Sequence, residues 1–258
     1  RLARGPATGL ASHGEAWRAI EAAVGRAWAS IAEALRAGRT PTEVDVQRRI
    51  KGDLAGAGLT WKGGPIVAAD AHAADPHYET GDGPGHDAPI RAGSVVMLDV
   101  WAKKKDDPDA IYADVTFMGF VGDAPPEKVQ RVWGAVAAAR DAGLAKAQAM
   151  WAAGDPRAFE VDRAARGVVE AAGFGPFFTH RTGHSLGQED HWIGANIDDF
   201  ETHDERRLIA GTGFTIEPGI YLPGEFGMRS EIDVFVAAKD GPVATTAIQR
   251  DLVKLRAR

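Results

Sequence analysis

The chain has 258 residues, a formal net charge of −6 and no cysteine. Hydrophobic residues make up 45% and charged residues 26%, which is typical of a globular protein and excludes a disordered or fibrous chain. The acidic excess predicts no nucleic-acid partner, and no segment has the apolar length that crosses a membrane. Without cysteine, disulfides, thiolate metal sites and cysteine nucleophiles are excluded, and a cytoplasmic location is expected.

Two helices are predicted near the start of the chain. Over residues 15–35, large apolar residues recur every three or four positions, as on one face of an amphipathic helix. The second helix is predicted to begin with Thr40 as the N-cap, Pro41 at the first helical position and Glu43 three residues after the cap. It should end near Leu54, before a glycine-rich turn.

A glycine- and proline-rich segment, residues 63–89, leads into two predicted strands. Ser94–Val100 is a short apolar run bounded by turn residues, and Ile111–Phe120 follows after a polar turn, so the two should form a hairpin. The same order of two helices and two strands is predicted again, over residues 127–151, 159–172, 213–221 and 228–237.

A faint internal repeat relates the two sets of elements. Three matches are each separated by 117 or 118 residues: Asp99 with Glu217, Asp114 with Glu231, and Glu43–Asp45 with Glu160–Asp162. Single matches of this length carry no weight, but three similar offsets that join the same kinds of element indicate duplication. We therefore predict an α+β fold with two halves, residues 15–122 and 125–240, related by an approximate twofold axis.

The repeat would bring four carboxylates face to face: Asp99, Asp114, Glu217 and Glu231. Asp99 and Glu231 each lie within a predicted apolar strand, where a carboxylate is costly unless it is paired or bound to a cation. Arginine would suffice for any one of them, whereas two divalent ions neutralise the whole set. The histidine-rich segment 180–191 adds nitrogen ligands, and a mixed oxygen and nitrogen site favours manganese, cobalt, iron or zinc.

These residues resemble the pita-bread metallopeptidases, the family of aminopeptidase P, prolidase and methionine aminopeptidase. The resemblance rests on an aspartate in each of two adjacent strands, the pair Gly183-His184, the segment Glu217–Tyr221 and the tripeptide Arg229-Ser230-Glu231. It implies one pita-bread domain over residues 1–258, with a curved antiparallel sheet covered by helices and without the additional N-terminal domain usual in this branch. It also implies two metal ions, manganese before cobalt, zinc or iron, bound by Asp99, Asp114, His184, Glu217 and Glu231.

Within the family, the Glu-Pro-Gly sequence at Glu217 and the arginine at Arg229 resemble the aminopeptidase P and prolidase branch. Methionine aminopeptidases instead have glutamine at the position of Arg229. The resemblance implies hydrolysis of short peptides at Xaa-Pro bonds by a water or hydroxide that bridges the two ions, with Glu217 moving the proton to the leaving nitrogen. Methionine aminopeptidase-like activity, a non-catalytic binding module and a homodimer stay open as alternatives.

Three further histidines are assigned to the substrate pocket by the same resemblance. His77, His180 and His191 would hydrogen-bond the substrate or the tetrahedral intermediate. Arg229 would orient Glu231 or a neighbouring carboxylate and line the substrate pocket. His77 lies 22 residues before Asp99, a longer interval than is usual in the family, and His86, 13 residues before Asp99, is the alternative.

Overall fold

The structure is a computed structural model that describes residues 7–256. Residues 1–6 and 257–258, which the predicted single domain includes, lie outside the described residues. The described residues form four α-helices: α1 (Ala7–Arg36), α2 (Glu43–Gly56), α3 (Glu127–Ala152) and α4 (Ala158–Ala171). Each corresponds to a predicted helix, although α1 begins at Ala7 rather than at residue 15.

Eleven strands lie within the described range: β1 (Leu59–Thr60), β2 (Ile66–Ala69), β3 (Val95–Lys104), β4 (Ala113–Phe120), β5 (Ser185–Leu186), β6 (Gly213–Ile216), β7 (Gly219–Leu222), β8 (Phe226–Arg229), β9 (Ile232–Ala237), β10 (Gly241–Ala244) and β11 (Val253–Lys254). Strands β3 and β4 form the predicted hairpin, in one sheet with β1, β2 and β11. Strands β6 and β9 are the centre of a second sheet with β5 and β10, and β7 pairs with β8.

The two helix pairs each pack on one of these sheets. Side chains of α1, among them Ile20 and Val24, share a core with Leu98 and Val100 of β3. In the second half, Val161 of α4 packs in a core with β6 and β9. Burial of each large aliphatic side chain contributes about 1.5–3 kcal/mol. This arrangement of two similar halves confirms the predicted α+β class.

Strand alternation decides which residues of the hairpin face away from this core. Leu98 and Val100 are fully buried against α1, so Asp99 between them points to the opposite face of the sheet. In β4, Asp114 and Thr116 share that face, and the strand register pairs Asp99 with Thr116. The carboxylates of the first half are therefore directed into the space between the halves.

The second half departs from the prediction, because both of its long predicted strands are interrupted. One is broken at Glu217 and Pro218, where proline has no N–H for the strand ladder. The other is broken at Ser230 and Glu231; the N–H of Glu231 donates to the carbonyl of Thr116 in the other sheet, at 3.3 Å. The prediction of continuous strands is wrong here, and both glutamates lie at strand ends instead.

The N-cap of α2 also differs from the prediction, since it is Thr42 and not Thr40. Thr42 Oγ1 accepts the N–H of Asp45 at 3.2 Å, and the Asp45 carboxylate accepts the N–H of Thr42 at 3.1 Å. These two bonds form a complete capping box. Glu43, predicted as the acidic residue of the box, is instead fully buried and bonds elsewhere.

We expect Thr42→Ala to lower the free energy of unfolding by about 1 kcal/mol, because the N–H of Asp45 loses its acceptor. Thr40→Ala changes the same residue type two positions earlier and is the matched control, with an expected effect below about 0.5 kcal/mol. Urea denaturation of both variants measures the difference. Equal losses in the two variants would contradict this assignment of the cap.

Candidate metal centre and active-site cleft

All nine residues that the sequence proposed for the site line one cleft between the halves, with a volume of about 290 Å³. They are Asp99, Asp114, His184, Glu217, Glu231, His77, His180, His191 and Arg229. The first five are the predicted metal ligands, and the other four are the predicted catalytic and substrate-binding residues. The structure brings them together, while their individual roles stay predictions.

The tightest cluster in the described part of the chain joins Asp114, His184 and Glu231, whose ligand atoms all lie within 4.8 Å of one another. His184 Nε2 is 3.6 Å from Asp114 Oδ2 and 3.3 Å from Glu217 Oε1. Asp99 lies on the other side of Thr116, whose hydroxyl is 3.2 Å from Asp99 Oδ1 and 2.8 Å from Glu231 Oε2. The five predicted ligands thus form one continuous group.

The protonation of His184 follows from its neighbours. Its Nδ1 lies 3.3 Å from the carbonyl oxygen of Ser185, which accepts a hydrogen on Nδ1 in the tautomer that a metal ligand at Nε2 requires. Burial lowers the pKa of His184 well below its usual value, which keeps the ring neutral. In that tautomer, the lone pair of Nε2 faces the carboxylates of Asp114 and Glu217. Such an arrangement is repulsive by itself and becomes favourable when a cation lies between the groups.

The charged groups in the cleft carry an excess of negative charge. Burial and then the neighbouring acids raise the pKa of Asp114 and of Glu231 well above the ordinary range. Among the described residues that line the cleft, six carboxylates face two guanidiniums. The formal excess of four negative charges equals the charge of two divalent ions. An oxygen-rich set with one imidazole nitrogen fits manganese, cobalt, iron or zinc.

Arg229 contacts two of the predicted ligands in different ways. Its Nη2 donates directly to Asp99 Oδ2, and its Nε donates to Thr116 Oγ1 at 3.0 Å. Because the Thr116 hydroxyl is 2.8 Å from Glu231 Oε2, Arg229 reaches Glu231 only through Thr116. The neighbouring carboxylate that Arg229 orients directly is therefore Asp99.

His180 belongs to a chain of hydrogen bonds that starts at Arg229. His180 Nδ1 donates to the carbonyl of Arg181 at 2.6 Å, so its Nε2 accepts the hydroxyl of Tyr221 at 2.7 Å. The Tyr221 oxygen in turn accepts Arg229 Nη1 at 3.2 Å. Burial lowers the pKa of His180 to about 3, which keeps this ring neutral. Tyr221 belongs to the segment Glu217–Tyr221, in which sequence reasoning assigned it no role. Its hydroxyl, as a donor to Nε2, is consistent with only one tautomer of His180.

His77 and His191 lie at the mouth of the cleft. The ring of His191 packs on that of His184, with centroids 4.0 Å apart, and its Nδ1 is 3.5 Å from Arg181 Nη2. His77 is exposed and lines the cleft. The alternative, His86, bonds the carbonyl of Glu79 through Nδ1 at 2.7 Å and is absent from the described residues that line the cleft. The geometry favours His77 over His86.

A buried acid at the start of α2 holds the loop that carries His77. Glu43 accepts the hydroxyl of Tyr78 at 2.6 Å, the N–H of Ala69 at 2.6 Å and His72 Nδ1 at 2.8 Å. Burial raises the pKa of Glu43, against the effect of these three donors. Tyr78 directly follows His77, so α2 positions this part of the rim of the cleft.

A second buried acid, in α4, holds the loop that carries His184. Asp162 accepts the N–H of Thr182 at 2.9 Å and the N–H of Asp199 at 3.1 Å. At Gly183 the chain runs so close to β6 that a Cβ would overlap the carbonyl of Thr215. Only glycine fits this close approach, and it brings the next residue, His184, against Glu217.

Sequence reasoning missed several residues around the site. Thr215 Oγ1 accepts the N–H of His184 at 3.0 Å and lies 3.2 Å from Glu217 Oε1. Like Thr116, it lies two residues from a predicted ligand on the same strand face, so strand alternation could have identified both. Asp233 Oδ2 accepts the N–H of Asp114 at 2.9 Å across the halves, a contact that no local pattern predicts. The cleft is also lined by five residues that the sequence did not propose for it: Pro76, Trp101, Arg181, Asp190 and Glu201.

Comparison with known proteins agrees with this geometry. The probable dipeptidase PepE of Mycobacterium tuberculosis is 31% identical over 242 residues, which are 93% of this chain and 58% of that protein. The solved prolidase from Thermococcus sibiricus superposes with a TM-score of 0.79 at 29% identity, over 98% of this chain and 62% of the other. The X-Pro aminopeptidase from Thermotoga maritima gives 0.80 at 26% identity, over 98% and 65%.

The chain therefore spans less than two thirds of the length of each of these relatives. Within that span, the fold is the pita-bread fold that the sequence predicted. The described residues contain no helix that is long and apolar enough to span a bilayer. The model of metallopeptidase family M24 matches residues 15–238, most of the chain. The protein thus belongs to metallopeptidase family M24.

Proposed function

We propose that this protein is a metal-dependent exopeptidase that hydrolyses short peptides at Xaa-Pro bonds. The observation that carries the proposal is the position of His184 Nε2, which lies 3.6 Å from Asp114 Oδ2 and 3.3 Å from Glu217 Oε1, beside Glu231. The relatives named dipeptidase, prolidase and X-Pro aminopeptidase support the substrate class. Two divalent ions, manganese first, are proposed as cofactors, and the absence of cysteine supports a cytoplasmic location.

The five ligands would hold the ions at the centre of the cleft. Divalent ions bound there would supply Lewis-acid polarisation of the scissile carbonyl and a lowered pKa for the attacking water. Asp99 and Asp114 enter from β3 and β4, whereas Glu217 and Glu231 enter from the two strand breaks of the second half. These two directions of approach leave the mouth of the cleft open to a peptide.

Glu217 is the proposed proton carrier. Without metal, burial raises the pKa of Glu217 to about 7, against the lowering effect of Arg229; a bound cation would lower it and leave the carboxylate ionised to accept a proton. It would accept the proton of the attacking water and deliver it to the leaving nitrogen. Thr215 Oγ1, 3.2 Å from Glu217 Oε1, holds the carboxylate in place for this transfer.

The remaining histidines would act on the substrate. His77 and His191, at the mouth of the cleft, can donate hydrogen bonds to the carbonyl oxygen as negative charge develops on it. His180 already bonds on both nitrogens, to the Arg181 carbonyl and to Tyr221, so its contribution is to shape the pocket wall. A proline after the scissile bond fixes the backbone and removes an N–H, which suits a short, preformed cleft.

Divalent metal should stabilise the folded protein, because it binds the carboxylate cluster of the native state and not the unfolded chain. At a free manganese concentration 100 times the dissociation constant, we expect about 2.7 kcal/mol of stabilisation, or a Tm rise of roughly 5–10 °C. His184→Ala should lose most of this rise. The measurement is a thermal melt of chelator-treated protein with added metal.

His203→Ala is the matched control for this melt, since His203 is an exposed histidine that also lies beside two acids, Asp199 and Glu205. Its response to manganese should equal that of the unmodified protein. If both variants respond alike, the metal binds elsewhere and the proposed centre is wrong.

Glu217→Gln should lower kcat on Ala-Pro by about 10²- to 10⁴-fold, because glutamine cannot carry the proton. Glu225→Gln, which changes an exposed glutamate paired with Lys128, should leave kcat unchanged. The assay compares Ala-Pro, Ala-Pro-Ala, Met-Ala-Ser and Ala-Ala-Ala with metal-loaded protein. Cleavage of Met-Ala-Ser alone would indicate methionine aminopeptidase-like activity, and peptide binding without any cleavage would indicate a binding module.

The two candidate histidines before Asp99 can be separated directly. His77→Ala should lower kcat/KM by about 10- to 100-fold through loss of a hydrogen bond to developing charge. His86→Ala, outside the cleft, should stay within about twofold of the unmodified protein. Steady-state kinetics on Ala-Pro measure both, and a larger loss in His86→Ala would reverse the assignment.

A further inference from the structure

Trp101 stands out in β3, because it is only half-buried while its two neighbours, Val100 and Ala102, are completely buried. It lies two residues after Asp99 and therefore on the same face of the strand. The register of the hairpin places it directly opposite Asp114. The indole thus forms part of the cleft wall beside the proposed metal ligands.

The indole is held in one orientation. Its Nε1–H donates to the carbonyl oxygen of Lys62 at 2.8 Å. The ring packs so closely on the backbone at Gly64 that a Cβ there would overlap it, and a Cβ at Gly63 would be 3.4 Å from Cζ2. The ammonium of Lys62 pairs with Glu189, next to the cleft residue Asp190. The ring is therefore a preformed wall that needs no rearrangement to meet a ligand.

The two sides of the cleft differ in chemistry. The first half contributes Trp101 together with Pro76 and His77. Beyond the proposed ligands and Arg229, the second half contributes only polar or charged lining residues among those described: His180, Arg181, Asp190, Glu201 and His191. A peptide side chain that enters beside Asp114 would meet the indole, and an apolar group gains most from losing water against an aromatic ring.

The cleft is also small. Its volume of about 290 Å³ lies at the lower end of the range for small-molecule pockets. An indole fixed beside Asp114 removes space where the side chain of a bound peptide would lie. The wall therefore both favours apolar groups and limits their size.

We propose that Trp101 is a specificity-determining residue, which forms the apolar wall of a side-chain subsite beside Asp114. This subsite takes a small apolar side chain or a proline ring and excludes larger side chains. The inference rests on the proposed peptidase function, because it assigns the substrate preference of that same cleft.

The test replaces Trp101 by alanine and by phenylalanine and measures kcat/KM on dipeptides whose first or second residue is small or large. The series is Ala-Pro, Leu-Pro and Phe-Pro, with Ala-Ala and Ala-Phe for the second position. We expect Trp101→Ala to raise the ratio of large to small substrates at one position by tenfold or more. Trp101→Phe, which keeps a shorter apolar wall, should give an intermediate ratio and protects the test against a misfolded alanine variant.

Trp61→Leu is the matched control. Trp61 precedes the same turn and packs against the core of the first half, outside the described lining of the cleft. Its ratios should equal those of the unmodified protein. Ratios within twofold of the unmodified protein in both Trp101 variants, at both positions, would overturn the proposal.

A binding measurement keeps this proposal separate from the proposed function. Metal-loaded Glu217→Gln protein, with and without Trp101→Ala, is titrated calorimetrically with Ala-Pro and Phe-Pro. If the unmodified protein cleaves nothing, the peptidase function fails, yet a tenfold shift of the Kd ratio toward Phe-Pro would still support the subsite. An unchanged Kd ratio would overturn the subsite even where cleavage is observed.

Discussion

The repulsion among buried carboxylates is the constraint around which this cleft is built. Asp99, Asp114 and Glu231 are each less than one-tenth exposed, and Glu217 lies beside them. One guanidinium, Arg229, is in direct contact with the group; it bonds Asp99 and lies 3.9 Å from Glu217 Oε2. Burying unpaired charge costs several kcal/mol per ion, so the cluster is stable only with protons or cations in it. Bound divalent ions would neutralise the negative charge and leave the acids ionised at neutral pH.

Much of this arrangement could be predicted from the sequence, because the apolar strands and the internal repeat leave patterns in the order of the residues. Asp99 and Asp114 were placed in the two strands of one hairpin, and the offsets of 118 and 117 residues paired them with Glu217 and Glu231, respectively. The breaks at Pro218 and Glu231 were not predicted, although Pro218-Gly219 is a turn signal in the sequence. The N–H of Glu231 bonds Thr116 in the other sheet, and such a long-range bond leaves no periodic signal.

The same holds for the residues that anchor the loops of the cleft: local patterns predicted the helices, but not the long-range bonds of their buried acids. Both 14-residue helices were predicted, but the buried acids that anchor the loops, Glu43 in α2 and Asp162 in α4, were not. In the sequence, Glu43 is typical of a capping box, and the competing box of Thr42 and Asp45 differs from it by only two positions. In the structure, Glu43 takes no part in the capping box, and its carboxylate accepts the hydroxyl of Tyr78 instead. A helix terminus thus supports the loop of His77 at the mouth of the cleft.

Two imidazoles of the cleft share one arrangement: Nδ1 lies beside a backbone carbonyl, and Nε2 faces a different partner in each. In His184 and in His180, a hydrogen on Nδ1 directs the lone pair of Nε2 inward. For His184 that lone pair meets the carboxylate cluster, where a cation is required. For His180 it meets the hydroxyl of Tyr221, which Arg229 also contacts. Arg229 therefore orients a proposed carboxylate ligand with one nitrogen and a wall of the cleft with another, so the proposed metal centre and the proposed peptide site share one support.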